Sequence, residues 1–147
     1  MHLNASVGLH FNGDCEAAFK FYERLLGLKL EMSLPWGASP LADQAPAGWG
    51  NKVLFARLRG PSMTLLGADM LPGAYRAPVG FNLTLTAVDE AEARRLFAEL
   101  SAGGTVTLPL QETFWAKCYG FVIDRFGIPW EVSAREARQA DDQRGFV

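Results

Sequence analysis

The feature that most constrains this sequence is an apolar helical stripe that occurs twice. Residues spaced three and four apart lie on one face of a helix, so each stripe predicts an amphipathic helix. The second stripe follows the first by about half of the 147-residue chain, which indicates a duplicated module. The matching positions are Ala18, Phe21, Tyr22 and Leu25 after Asp14, and Ala93, Leu96, Phe97 and Leu100 after Asp89.

Capping residues mark the ends of both predicted helices. Asp14 and Asp89 are suited to accept a backbone N–H at the first turn, and Glu92 completes a capping-box pair with Asp89. Gly27 and Gly103 stand where helices commonly end. The sequence therefore predicts one well-delimited helix in each module.

Strand-like segments surround each helix and predict the order βαβββ twice. The segments after the first helix are 28–34, 51–58 and 62–67, and those after the second are 104–110, 117–124 and 127–133. We expect a single α+β domain, 1–147, with modules 1–69 and 78–134, a joining segment 68–80 and a polar tail 135–147. The Pro-, Gly- and Ala-rich stretch 35–50 carries Trp36 and Trp49 and is expected to be a lid or interface loop.

Alternation along the two leading strands separates an apolar face from a polar one. The apolar sets are Val7, Leu9 and Phe11, and Phe81, Leu83, Leu85 and Ala87; the polar sets are Ser6, Gly8, His10 and Asn12, and Asn82, Thr84 and Thr86. The two registers differ by one residue, which we attribute to a glycine bulge at Gly13. In the last strand, Trp130 and Val132 are expected in the core, leaving Glu131 on the polar face.

Composition and charge exclude several functional classes. The chain is 49% apolar and 20% charged, with a net charge of −2, and it carries no block of like charge. Neither nucleic acid nor a membrane is therefore expected as a partner. No secretory signal or membrane span is recognisable, so the expected location is cytoplasmic. Cys15 and Cys118 are expected to be free thiols, buried or incidental.

Three segments carry a resemblance to a known family. "LHFNGDCEAAFKFYERLLG" (9–27), "GADMLP" (67–72) and "PLQETFWAKCYGFVIDRFGIPWEV" (109–132) resemble the vicinal oxygen chelate superfamily of glyoxalases, bleomycin-resistance proteins and extradiol dioxygenases, and within it the PhnB-like branch. The resemblance implies two βαβββ modules in a curved, mostly antiparallel sheet with a concave cleft. It also implies a homodimer.

Metal-using members of this superfamily carry ligands on the first and last strand of each module. The corresponding positions here are Ser6 or Val7, Thr64 or Leu66, Asn82 and Glu131, and only Glu131 matches the family's carboxylate. One strong ligand is too few for a divalent ion, so we expect no metal and no other cofactor. His10 as a displaced ligand is the alternative. The methyltransferase activity often attached to this branch is not expected, because no glycine-rich strand–helix turn is present.

The leading hypothesis is a protein that binds a small organic molecule on its concave sheet, with or without turnover. The expected ligand-binding residues are His10, Asn12, Asn82, Thr84, Phe114, Trp115 and Tyr119. Glu131 is the expected catalytic residue, acting as general base. The alternatives are a metal-dependent lyase, isomerase or dioxygenase, and a structural or regulatory dimer without a ligand.

Overall fold

In its described part, each half of the chain contains one α-helix and four strands, in the order that the repeat predicts. The computed structural model describes residues 1–135. The elements of the first half are β1 (Val7–Phe11), α1 (Cys15–Leu26), β2 (Lys29–Pro35), β3 (Val53–Arg59) and β4 (Thr64–Asp69). Those of the second half are β5 (Leu83–Ala87), α2 (Glu90–Ser101), β6 (Thr105–Gln111), β7 (Tyr119–Ile123) and β8 (Pro129–Ala134). The predicted tail lies outside the described residues, apart from Arg135.

The two halves form two compact units, Met1–Ala77 and Pro78–Val147. Each unit holds one open four-stranded sheet, with strand order β1-β4-β3-β2 in the first and β5-β8-β7-β6 in the second. The leading strand pairs in parallel with the last strand of its own module, and the other pairs are antiparallel. The predicted α+β fold of two βαβββ modules is confirmed, with one mixed sheet in each module.

The apolar stripes of both helices are buried, as their periodicity predicts. On the leading strands, Leu9, Phe11, Leu83 and Leu85 are buried, whereas His10 and Thr84 between them are exposed. Trp130 and Val132 of β8 are also fully buried. Phe81 departs from the prediction, because β5 begins only at Leu83 and the Phe81 side chain is 48% exposed. The alternation of buried and exposed side chains therefore holds only for residues that pair in the sheet.

Neither helix is a candidate for a membrane span. Both have 12 residues, and no helix in the described part of the chain is long and apolar enough to cross a bilayer. Both cysteines are free and buried, as expected. Burial raises the pKa of the Cys15 thiol well above its ordinary value and also raises the pKa of Cys118, so both thiols are protonated at neutral pH.

The two helices begin differently. At α2 the Asp89 carboxylate accepts the N–H of Glu92 at 2.8 Å, and the Glu92 carboxylate accepts the N–H of Val88 at 3.2 Å. At α1 the Asp14 side chain makes no capping hydrogen bond, which corrects the sequence prediction. Asp69, at the end of β4, accepts the N–H of Cys15, the first residue of the helix, at 3.0 Å.

The extra residue between the first leading strand and its helix lies in a turn, so the predicted bulge at Gly13 is wrong. β1 pairs with β4 without a register shift and ends at Phe11, two residues earlier. Gly13 has φ +100°, a conformation that favours glycine, and a Cβ there would lie 3.2 Å from the Trp49 ring. The conformation favours glycine at this position, and any side chain there would also press against the Trp49 ring.

The loop over 35–50 is folded onto its own module and contains two short 3-10 helices, Trp36–Ala38 and Ala42–Gln44. Trp36 is only 7% exposed, and its indole N–H donates to the Asp69 backbone carbonyl at 3.1 Å. Trp36 therefore belongs to the core of the first unit, contrary to its expected place in a cover over the site.

Asp69 joins three parts of the first unit through its side chain. It is 1% exposed, and Oδ1 accepts the N–H groups of Gly13 and Cys15, both at 3.0 Å. Oδ2 accepts the N–H of Val53 at 2.9 Å. A buried carboxylate that satisfies three buried or half-buried donors holds the β1–α1 turn and the start of β3 against β4.

We predict that Asp69→Asn lowers the free energy of unfolding by about 2–4 kcal/mol, because an amide offers one acceptor oxygen and turns its NH₂ group towards a backbone donor. Urea denaturation measures the change. The control Asp43→Asn removes an exposed carboxylate of the same unit and is expected to change stability by under about 0.5 kcal/mol. Equal effects of the two substitutions would contradict the role given to Asp69.

Candidate functional site

The candidate site lies on the sheet face of the second unit opposite its buried residues. In the β5–β8 ladder Thr84 pairs with Glu131 and Thr86 with Ser133. In the β7–β8 ladder Phe121 pairs with Glu131, and Tyr119 pairs with Ser133. Cross-strand partners share a face, so these side chains form two adjacent rows across the sheet.

Glu131 lies in a hydrogen-bonded cluster of polar side chains. Its Oε2 accepts from Asn82 Nδ2 at 3.3 Å and from Thr84 Oγ1 at 3.1 Å. Asn82 Nδ2 also donates to Thr84 Oγ1 at 3.1 Å. The structure thus brings together three of the predicted site residues, with a carboxylate at the centre and neutral donors beside it.

Aromatic rings extend from this cluster in an unbroken series. Phe114 and Trp115 have ring centroids 4.5 Å apart, Trp115 and Tyr119 5.2 Å, and Tyr119 and Phe121 5.2 Å, each pair close to perpendicular. Phe114 is 96% exposed and Trp115 49% exposed. Phe114, Trp115 and Tyr119 were all predicted from the sequence as site residues, and the structure places them in contact.

A cavity of about 160 Å³ opens between the aromatic residues and the polar cluster. Its lining residues are Thr86, Trp115, Ala116, Tyr119, Glu131, Ser133 and Ala134. Thr86 and Ser133 are absent from the predicted site. Strand alternation could have found both, because each lies two residues along its strand from a predicted site residue.

The pKa of the Tyr119 phenol is affected by the carboxylate beside it. Burial raises the pKa of Tyr119, and the negative charge of Glu131 and the hydrogen bond to that side chain raise it further. Tyr119 is therefore a neutral hydrogen-bond donor throughout the physiological pH range.

Asp124, the first residue of the segment "DRFGIPWE", helps to position Glu131. Asp124 is 3% exposed, and its Oδ1 accepts the N–H groups of Phe126 at 2.9 Å and Ile128 at 3.0 Å. Its Oδ2 accepts the indole N–H of Trp130 at 2.8 Å. The segment thus fixes the β7–β8 turn and anchors Trp130 in the core, so that Glu131, the next residue, faces the opposite side.

The corresponding face of the first unit has different chemistry. Its ladder pairs Gly8 with Leu66 where the second unit pairs Thr84 with Glu131. His10 is exposed on β1, opposite Ala68, and Asn12 is exposed in the turn after that strand. These two predicted site residues belong to the first unit, and their share in a common site stays a prediction from the sequence.

Few side chains here could hold a metal ion. Among residues 1–135, no group of three or more His, Cys, Asp or Glu side chains is placed to bind one. In the second unit the donors around Glu131 are an amide, hydroxyls and a phenol. First-row divalent ions prefer imidazole, carboxylate or thiolate to such a set.

Comparison with known proteins identifies the family. The model of the glyoxalase/bleomycin resistance protein/dioxygenase superfamily matches residues 7–132. The chain belongs to this superfamily. It is 32% identical over 133 residues to Protein YjdN of Escherichia coli (strain K12), covering 85% of this chain and 90% of that protein. The resemblance stated from the sequence is confirmed.

Solved structures show the same superfamily fold. Protein PA1353 from Pseudomonas aeruginosa has a TM-score of 0.80 and 41% identity, covering 91% of this chain and 98% of that one. A PhnB protein from Bacillus cereus has a TM-score of 0.77 and 20% identity, covering 90% of this chain and all of that one (100%). The second likeness concerns the fold alone.

We predict that Glu131→Gln lowers the pKa of Tyr119 towards its ordinary value of 10.0, because the substitution removes a negative charge that disfavours the phenolate. Part of the elevation remains, since burial is its largest cause. NMR titration of ¹³C-labelled tyrosine rings measures the change, and Tyr22 and Tyr75 serve as internal references. Glu112→Gln, which removes an exposed carboxylate of the same unit, is the matched control. An unaltered Tyr119 titration in Glu131→Gln would contradict the contact.

Proposed function

We propose that the protein binds a small organic molecule on the polar face of its second unit, without a metal ion. The observation that carries the proposal is the Glu131 carboxylate, held by Asn82 and Thr84 at the edge of an aromatic cavity. Ligand sites commonly combine apolar and aromatic walls with a few placed polar groups. This combination is present on one face of one sheet.

Exposed aromatic rings support the same proposal. Phe114 and Trp115 pack edge to face on each other while presenting large areas to solvent. Clustered exposed apolar groups mark interaction sites, because covering them gains about 25 cal/mol per Å² of apolar surface. A ligand seated against Trp115 would gain this energy and would reach the carboxylate on the same face.

Turnover, if the ligand is a substrate, requires a proton acceptor, and Glu131 is our proposed general base. Tyr119 is a neutral donor beside it and is suited to orient a ligand oxygen. The homodimer and the cytoplasmic location stay predictions made from the sequence.

We predict that a screen of small organic compounds, including aromatic, phosphonate-like and ammonium compounds, yields ligands that raise the melting temperature. A ligand at about 100 times its Kd stabilises the folded chain by about 2.7 kcal/mol, because it binds only the folded site. The shift should be lost in Trp115→Ala and Glu131→Gln and kept in Val88→Ala, which trims an exposed apolar residue before α2. Shifts that survive both site substitutions would contradict the proposed location. No ligand from any screen would favour the structural or regulatory alternative.

We further predict that the purified protein holds no stoichiometric transition metal. Three of the four positions where metal-using relatives carry ligands hold weak ligands or none here, so Glu131 lacks strong co-ligands. These positions are Ser6 or Val7, Thr64 or Leu66, and Asn82. Elemental analysis by mass spectrometry gives the metal content per chain. About one zinc, nickel, iron or manganese ion per chain, lost in Glu131→Gln, would overturn the prediction and favour a metal-dependent lyase, isomerase or dioxygenase.

A further inference from the structure

We infer that the cavity of the second unit takes an organic cation, namely the ammonium or methylated ammonium head group of a small molecule. The inference rests on the proposed function, because it specifies the ligand class for the same face. Three observations support it. They are the charge of Glu131, the aromatic rings beside that charge, and the arginine that the first unit has at a matching position.

The charge of Glu131 has no positive partner in the described part of its own unit. Its contacts are the Asn82 amide, the Thr84 hydroxyl and the Tyr119 phenol, all of them neutral. Among residues 78–135, no lysine or arginine forms an ion pair with it. An anionic ligand, or a neutral one without hydrogen-bond donors, would displace water from this carboxylate without replacing its stabilisation, whereas a cation would supply an opposite charge.

The walls of the cavity are suited to the same charge. The Trp115 and Tyr119 rings stand at 79° to each other with centroids 5.2 Å apart, so they form two adjacent walls beside the carboxylate. Aromatic faces carry negative potential and attract cations within about 6 Å, most strongly at tryptophan. Rings together with a carboxylate favour an organic cation over a neutral ligand of equal size.

Other aromatic residues of the chain already have internal cations over their rings. Such contacts place Arg24 over Phe21, Lys52 over Trp49, Arg57 over Phe55 and Arg125 over Phe126. Within residues 78–135, no lysine or arginine lies over the ring of Trp115 or Tyr119. These two rings line the cavity, so they are the ones that an external cation in the cavity would meet.

The first unit shows what happens when the chain supplies its own cation. Arg57 pairs with Leu66 in the ladder where Phe121 pairs with Glu131. Its guanidinium lies 5.5 Å from the centroid of Phe55, which matches Tyr119, and 3.9 Å from a carboxylate oxygen of Glu31. The first module has arginine paired with Leu66 at these positions, and the second has phenylalanine paired with the Glu131 carboxylate.

The size of the cavity restricts which part of the ligand enters it. Its volume of about 160 Å³ is below the range of about 300–1,000 Å³ typical of sites for drug-sized molecules. It is therefore suited to a compact head group. The hydroxyls of Thr86 and Ser133 on its wall offer acceptors for an ammonium N–H or for a hydroxyl of the ligand.

The test is a calorimetric titration of the full chain with choline and with 3,3-dimethylbutan-1-ol, its neutral isostere. We expect choline to bind at least about tenfold more tightly, because the two probes share shape and hydroxyl and differ in charge. Glu131→Gln should remove most of this preference by weakening choline binding alone. Trp115→Ala, at an exposed side chain, should weaken choline severalfold without affecting the fold, and Glu112→Gln should leave both affinities unchanged.

The outcomes separate this inference from the proposed function. Equal affinity for the two probes, or a preference for choline that survives Glu131→Gln, would overturn the cation inference while leaving a small-molecule site in place. The same holds if anionic or neutral compounds from the screen bind and choline does not. If neither probe nor any screened compound binds, both proposals fail. The melting temperature of each variant without ligand verifies that it is folded.

Discussion

Two buried aspartates hold the turns on which the rest of each module depends. Asp69 accepts three backbone N–H groups from the β1–α1 turn and from β3, segments distant in sequence. Asp124 accepts two backbone N–H groups and an indole N–H around the β7–β8 turn. A buried carboxylate is costly unless its lone pairs are used. Each aspartate therefore tolerates burial only in one arrangement of the chain, and that arrangement sets the positions of the neighbouring strands.

Once these turns are fixed, strand alternation determines which side chains lie on the face of the candidate site. Trp130 is anchored to Asp124 and fully buried, so Glu131 must emerge on the opposite face of β8. The parallel β5–β8 ladder brings Thr84 beside it, and the antiparallel β7–β8 ladder brings Phe121. In the segment "DRFGIPWE" (124–131), Asp124 and Trp130 thus have a structural role, whereas Glu131 is available for binding.

The sequence predicts the two helices, all eight strands within a few residues and the face on which Glu131 lies, because these follow from local periodicity. It fails where distant residues decide the outcome. Asp14 is a typical capping residue, but its side chain makes no capping hydrogen bond, and the first N–H of the helix is accepted by Asp69, more than 50 residues away. The sequence around Trp36 indicates a loop, but the Trp36 indole N–H donates to the backbone carbonyl of Asp69 in the core. The candidate site divides in the same way: the face on which Glu131 lies follows from strand alternation, whereas the cavity beside Trp115 and Tyr119 depends on packing between strands.

Duplication explains how one fold carries two different faces. The matching ladders keep the same register in both units, so substitutions on the exposed face change its chemistry without disturbing the core beneath. In the first unit that face carries Leu66 and the Arg57 guanidinium over Phe55; in the second it carries Glu131 and open aromatic rings. In the first module, Arg57 already provides a cation for the aromatic ring and for the carboxylate of Glu31. The second module has a carboxylate and exposed rings without a cation over them among its described residues, and this difference is the basis of the ligand class that we propose.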